Sequence, residues 1–189
     1  MFYVFIRQFF RIVLLLLRRW EVRGLSNLPE QGGLVIVSNH TSYWDPIVVG
    51  CAITRRVNYL AKEELFRIPV FRNIITGMAA FPVKRNQSDR AAIRKALQYL
   101  AEGQILGVFP EGSRSASGEL QAAEPGAAML ALKAGVPVLP LGLIGTRGVL
   151  RKVKVNIGEP FLYKTDKKYT REDMEKLTGM IMEKISGLM

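Results

Sequence analysis

Two short segments hold residue types suited to moving a proton and gripping a phosphate. The first, Asn39-His40-Thr41-Ser42-Tyr43-Trp44-Asp45, contains the one histidine of the chain. Imidazole is the side chain best matched to base chemistry near neutral pH. A carboxylate with four residues between it and the imidazole can fold back across a turn and hold one ring nitrogen. The other nitrogen is then left to take a proton. From spacing alone, His40 is as readily a structural histidine, and Asp45 a plain helix N-cap. The second segment is Phe109-Pro110-Glu111-Gly112-Ser113-Arg114-Ser115. Gly112 permits close backbone approach to a ligand. Arg114 offers a planar fork for phosphate, and the serines Ser113 and Ser115 offer hydroxyl donors. Glu111 can accept from a substrate hydroxyl or orient the arginine; an internal Glu–Arg pair in a polar turn is the plainer alternative. Lys62, Lys84 and Arg85 add cations after two further apolar runs.

Each of these segments follows a stretch patterned as a strand. Leu34–Val37 is a short, β-branched apolar run, as expected of a buried strand, and it ends at Ser38-Asn39-His40. Further strands are expected over residues 57–61, 78–83, 105–109, 136–144 and 152–157, the last with one wet face. Helices are expected from Asp45 to about Thr54, over 63–73 with a break near Pro69, from a Ser88 cap to about Ala101, from Pro125 to a stop at Gly135, and from a capping box at Thr170–Asp173 onward. The alternation predicts a mixed, mostly parallel α/β sheet flanked by helices. Ligand sites of such sheets form outside the carboxyl ends of the strands, where both motifs and the added cations fall.

Composition narrows the chemistry. The 189 residues suit one folded unit, and 49% are hydrophobic. Lysine and arginine total 27 against 16 acidic residues, a net charge of +11 that points to anionic partners. Zinc-finger spacings and aromatic RNA-binding signatures are missing, which argues against nucleic acid. One Cys and one His leave no disulfide framework and no Cys/His zinc site. The sequence has no phosphate-binding P-loop, no dinucleotide glycine fingerprint and no Gly-x-Ser-x-Gly elbow. Cys51, among apolar residues, reads as core.

The first twenty residues are strongly apolar but broken by Arg7 and Arg11. The uninterrupted run from Ile12 to Leu17 is far shorter than the ~20 residues a bilayer span requires. Arg7, Arg11 and Arg18 fall on one helical stripe. The expectation is a helix lying in the lipid interface, arginines toward phosphates and aromatics toward acyl chains. A helix packed on the core is the alternative; a secretory signal fits less well. The expected organisation is therefore a membrane-associating segment at 1–24 and a catalytic domain at 25–189.

Together, His-x4-Asp and Phe-Pro-Glu-Gly-Ser-Arg resemble the glycerophospholipid acyltransferases, most closely the lysophosphatidic acid acyltransferases. Four blocks agree in order and spacing over about residues 25–160: 39–45, 81–85, 109–115 and 136–140. Lys84 is a departure, because the family usually has an acidic residue before the arginine of the second block. The resemblance implies His40 as base, Asp45 as its partner, and Lys62, Arg85, Glu111, Gly112, Ser113 and Arg114 around the acceptor. Pro140 would lie on the donor side. It further implies transfer of a fatty acyl group from acyl-CoA or acyl carrier protein to lysophosphatidic acid. No cofactor beyond the donor is implied, and the location would be peripheral or monotopic on the cytoplasmic face of the cell membrane. Other acceptors (glycerol 3-phosphate or a lyso-aminolipid) and a non-catalytic lipid-binding role are the competing expectations.

Overall fold

The structure, a computed structural model, describes residues 2–84, 89–148, 150–165 and 168–189, with the Phe71 side chain set aside. The chain runs α1 (Phe2–Arg18), β1 (Glu21–Arg23), β2 (Leu34–Ser38), α2 (Asp45–Ala52), β3 (Val57–Lys62), α3 (Pro69–Gly77) and β4 (Ala80–Val83). It continues through α4 (Arg90–Ala101), β5 (Ile105–Val108), α5 (Gly126–Ala134), β6 (Val138–Ile144), β7 (Lys154–Ile157) and α6 (Arg171–Ser186). Among the described residues, seven strands form one sheet in the order β1-β7-β6-β2-β5-β3-β4. The β6–β7 pair is antiparallel and every other pairing is parallel. The mixed, mostly parallel sheet expected from the sequence is therefore present.

Strand β2 sits mid-sheet, and all five of its residues are buried. This is why it reads as an unbroken apolar run rather than an alternating one. Its side chains still alternate in destination. Leu34 and Ile36 enter a core with Leu14 of α1 and Val48, Val49 and Cys51 of α2. Val35 and Val37 enter a second core with Ala96, Leu100, Ala131 and Ile185 from α4, α5 and α6. The two cores clamp β2 from both faces, and that fixes where the chain leaves the sheet toward His40.

Several local expectations shift. Residues 21–23, for which the sequence pattern predicts no strand, form β1 and pair with β7 at the sheet edge. Residues 63–67 are a 3-10 turn, and α3 begins at Pro69, where proline suits a first helical turn. Helix α4 is capped by Asp89, whose side chain accepts from the Ala92 amide. Ser88 lies outside the described residues.

Helix α1 turns over the sequence expectation for its arginines. Arg18 is 2% exposed. Its Nε donates to the Arg151 carbonyl at 3.0 Å and its Nη2 to the carbonyls of Gly145 and Thr146 at 2.8 and 3.2 Å. Arg7 donates to the Thr54 carbonyl at 2.6 Å. The arginine side of α1 thus packs on the protein body, mainly against α2. Phe2, Phe5, Phe9, Ile12, Leu16 and Leu17 are left exposed. A stripe of arginines at helical spacing can face inward when backbone carbonyls wait for the guanidiniums. Among the described residues, no helix is long and apolar enough to cross a membrane.

Candidate active site

Strands β4, β3, β5, β2 and β6 run in one direction, so their carboxyl ends share one edge. His40 follows β2, Glu111 follows β5, Thr146 follows β6, and Lys62 closes β3. The site is assembled at this edge.

His40 and Asp45 meet directly. His40 Nδ1 lies 2.8 Å from Asp45 Oδ2, the imidazole side chain is 13% exposed, and the carboxylate is fully buried. The same Oδ2 accepts from the backbone amides of Thr41 at 2.6 Å and Ser42 at 2.7 Å. Asp45 is the first residue of α2, followed by Pro46, while Trp44 takes the cap position without a side-chain cap bond. Its carboxylate therefore folds back on the preceding turn as well as on the imidazole, so it orders that turn and holds the histidine rather than capping the free amides of α2. With Nδ1 held, Nε2 has no partner among the described residues and is the nitrogen left for a substrate proton.

Further contacts hold the base of this dyad. Asn39, 1% exposed, pairs through both ends of its amide with one residue of β6. It donates to the Leu143 carbonyl at 2.9 Å and accepts from the Leu143 amide at 2.8 Å. This continues the sheet ladder one residue past β2. The His40 amide donates to Glu111 Oε1 at 2.6 Å, and the His40 carbonyl accepts from the Ser115 amide at 2.7 Å. The ring of His40 stacks on Phe109 with centroids 4.0 Å apart and planes 20° apart. Thr41 and Thr146 bring their hydroxyls to 3.1 Å.

The second motif therefore holds the first one. Glu111 is buried, and its other oxygen accepts from the Gln121 amide at 3.1 Å. Neither oxygen is paired with Arg114. Instead the Arg114 guanidinium lies 3.5 Å over the ring of Tyr43, a residue of the first motif. The carboxylate thus frames the loop rather than pairing with the arginine. Gly112 has φ +66°, a backbone setting that a side chain strains. Ser113 and Arg114 are exposed on the same loop. Ser115 is buried, and its hydroxyl accepts from the Gly118 amide and meets Ser117, so it is spent on the loop itself. Lys62 is exposed at the end of β3, 3.6 Å from Glu64. Lys84 is exposed after β4. Arg85 lies outside the described residues. Asn39, Phe109 and Thr146 hold the site without having been singled out as functional: Asn39 and Phe109 lie inside the two motifs, but their partners, like that of Thr146, are distant in sequence.

Comparison with known proteins falls on the same residues. The chain matches the family described as Acyltransferase over residues 19–144, more than half its length. A 1-acyl-sn-glycerol-3-phosphate acyltransferase of Borreliella burgdorferi is 32% identical over 133 residues, which cover 69% of this chain and 53% of that protein. The chain thus spans about half the length of that relative. A Bacillus subtilis protein of the same name is 29% identical over 194 residues, covering 98% of this chain and 96% of its own. Among solved structures, the 1-acyl-sn-glycerophosphate acyltransferase PlsC of Thermotoga maritima superposes with a TM-score of 0.74 at 28% identity, covering 97% of this chain and 79% of that one. The matched region contains the His40–Asp45 dyad and the Glu111 loop that braces it, and the chain belongs to the acyltransferase family.

Proposed function

We propose that this chain transfers a fatty acyl group from a thioester donor to the free hydroxyl of lysophosphatidic acid, making phosphatidic acid. The observation that carries the reading is the His40 Nδ1–Asp45 Oδ2 contact of 2.8 Å at the carboxyl edge of the sheet. Relatives over nearly the full chain bear that activity in their names, which supports the acceptor.

In this reading the acceptor hydroxyl lies against His40 Nε2. The proton passes to Nε2 as the oxygen attacks the thioester carbonyl carbon. The tetrahedral intermediate collapses, the carbon–sulfur bond breaks, and the departing thiolate recovers the proton from the imidazolium. Asp45 keeps the ring in the required tautomer and stabilises its charged form. Such base assistance contributes about 10²–10⁴ in rate. Arg114, Ser113 and Lys62, with Arg85, hold the acceptor phosphate, and Gly112 lets it approach the loop; holding the acceptor in place is itself a large part of the acceleration. Glu111 acts through the His40 amide as a positioning residue. The thioester brings its own leaving group, so the reaction calls for no cofactor beyond the donor, either acyl-CoA or acyl carrier protein.

The setting is a lipid surface. The outward face of α1 is aromatic and aliphatic along its length, which supports peripheral or monotopic attachment to a membrane, the cytoplasmic face of the cell membrane being the side the family resemblance implies. Helix α1 (Phe2–Arg18) is then the attached element, and it packs onto the catalytic unit.

Labelled acyl-CoA and acyl carrier protein, each offered with lysophosphatidic acid, glycerol 3-phosphate and a lyso-aminolipid, test the reading. Phosphatidic acid as the main product is expected. Preferred acylation of either other acceptor would replace the assigned substrate, and no transfer from either donor would leave only lipid binding.

A further inference from the structure

The turn between β6 and β7 carries the most exposed large apolar side chain recorded among the described residues: Leu150, at 78%. Arg147, Arg151 and Lys152 flank it in sequence and are exposed, the Lys152 ammonium being paired with Glu21 at 2.9 Å. An isolated surface leucine is ordinary. This one is held in place by its neighbours. Gly145, at φ +74°, opens the turn where a Cβ would strike the Lys152 carbonyl, so the two limbs are in close contact. Arg18 at the end of α1 grips the carbonyls of Gly145, Thr146 and Arg151, and the Val153 amide donates back to the Arg18 carbonyl at 3.1 Å. Arg147 donates to the Ala116 carbonyl at 2.7 Å, which ties the turn to the loop that follows Glu111. The turn is thus pinned to the last turn of α1, where Leu15, Leu16 and Leu17 are exposed.

We propose that the β6–β7 turn is a second lipid-contacting element, inserting Leu150 among acyl chains while Arg147 and Arg151 meet anionic headgroups. This rests on the reading of α1 as a membrane-bound helix. The occupant is an anionic bilayer. An apolar tip ringed by cations suits a boundary between acyl chains and phosphates, and the whole chain carries a charge of +11. The consequence is orientation. A single helix lying in the interface leaves the body free to rock about its axis. A second contact beside the carboxyl edge removes that freedom. Thr146 at the root of the turn reaches Thr41 next to His40 at 3.1 Å, so the fixed edge is the one that bears the site.

The test uses the full chain with Leu150→Cys carrying an environment-sensitive fluorophore, and Leu16→Cys as the reference for α1. Cys51, the native cysteine, is buried and stays unlabelled in the folded protein. With phosphatidylglycerol vesicles, both labels are expected to shift to the blue and to be quenched by a quencher attached to lipid acyl chains. In otherwise native protein, Leu150→Asp is expected to lower vesicle partition about tenfold or more. Arg151→Gln is expected to lower it about fivefold, an effect lost on phosphatidylcholine vesicles. A shift at position 16 without one at 150 would overturn the proposal and leave α1 as the membrane contact. No shift at either position would overturn both. A shift at 150 on concentrating the protein without lipid would assign the turn to a second copy of the chain instead. None of these readings involves turnover, so they stand apart from the acyl-transfer assay.

Discussion

The backbone amide of His40 donates to the carboxylate of Glu111 at 2.6 Å, across 71 residues of sequence. The two motifs of the family are thereby one structural unit: the second sets the position of the first. Glu111→Ala leaves the His40 and Gln121 amides without their acceptor in a buried loop, at a cost of about 1–3 kcal/mol each. Chemical denaturation should record that loss. Because Glu111 acts through His40, kcat should fall while KM for the acceptor stays near native. A rise in KM alone would make Glu111 a direct acceptor ligand.

Asp45→Asn preserves shape but puts an amide where three donors converge on one oxygen. The imidazole loses its fixed tautomer, and kcat should fall about 10²–10⁴-fold. The fold should survive with lower stability, as read by thermal melting. A variant with near-native kcat would show that the ring needs no carboxylate.

How far the sequence foretold this site depends on range. His40 and Asp45 are joined by a local turn, so their spacing permits the contact that the structure shows, though spacing alone left a structural histidine and a plain N-cap equally open. The capping box at Thr170 and Asp173 and the glycine stop at Gly135 are local too, and both occur as expected. Asn39 is different: its partner Leu143 lies 104 residues away, and nothing near Asn39 signals a strand arriving beside it. Strand β1 has three residues and exists because β7 offers it an edge. The arginine stripe of α1 has the same helical spacing whether it faces lipid or protein. Only the carbonyls of 145, 146 and 151 decide it for Arg18.

Arg18→Met tests that burial. The longer contact with Trp44, 5.7 Å from the guanidinium to the ring, is replaced by a thioether, but three carbonyls lose their donor. Stability should drop by about 2–4 kcal/mol on chemical denaturation. An arginine lying free at the lipid surface would instead give a change near zero.

Cys51 gives a probe of the α1–α2 packing. Burial pushes its thiol up to about 12, so at pH 8 it is almost wholly protonated as well as shielded. Thiol reagents should fail on the native protein and react once denaturant opens the core. Rapid labelling of native protein would mean that α1 opens from α2 far more readily than its packing implies.

The most direct measurement is turnover by His40→Ala beside the native protein, with acyl-CoA and lysophosphatidic acid in mixed micelles. The ring is 13% exposed, and its removal leaves the Glu111 and Ser115 bonds to the His40 backbone in place, so the variant should fold. Retained circular dichroism and micelle binding, with kcat lower by about 10²–10⁴-fold, is the predicted result. Turnover equal to native would contradict it and remove the imidazole from the chemistry.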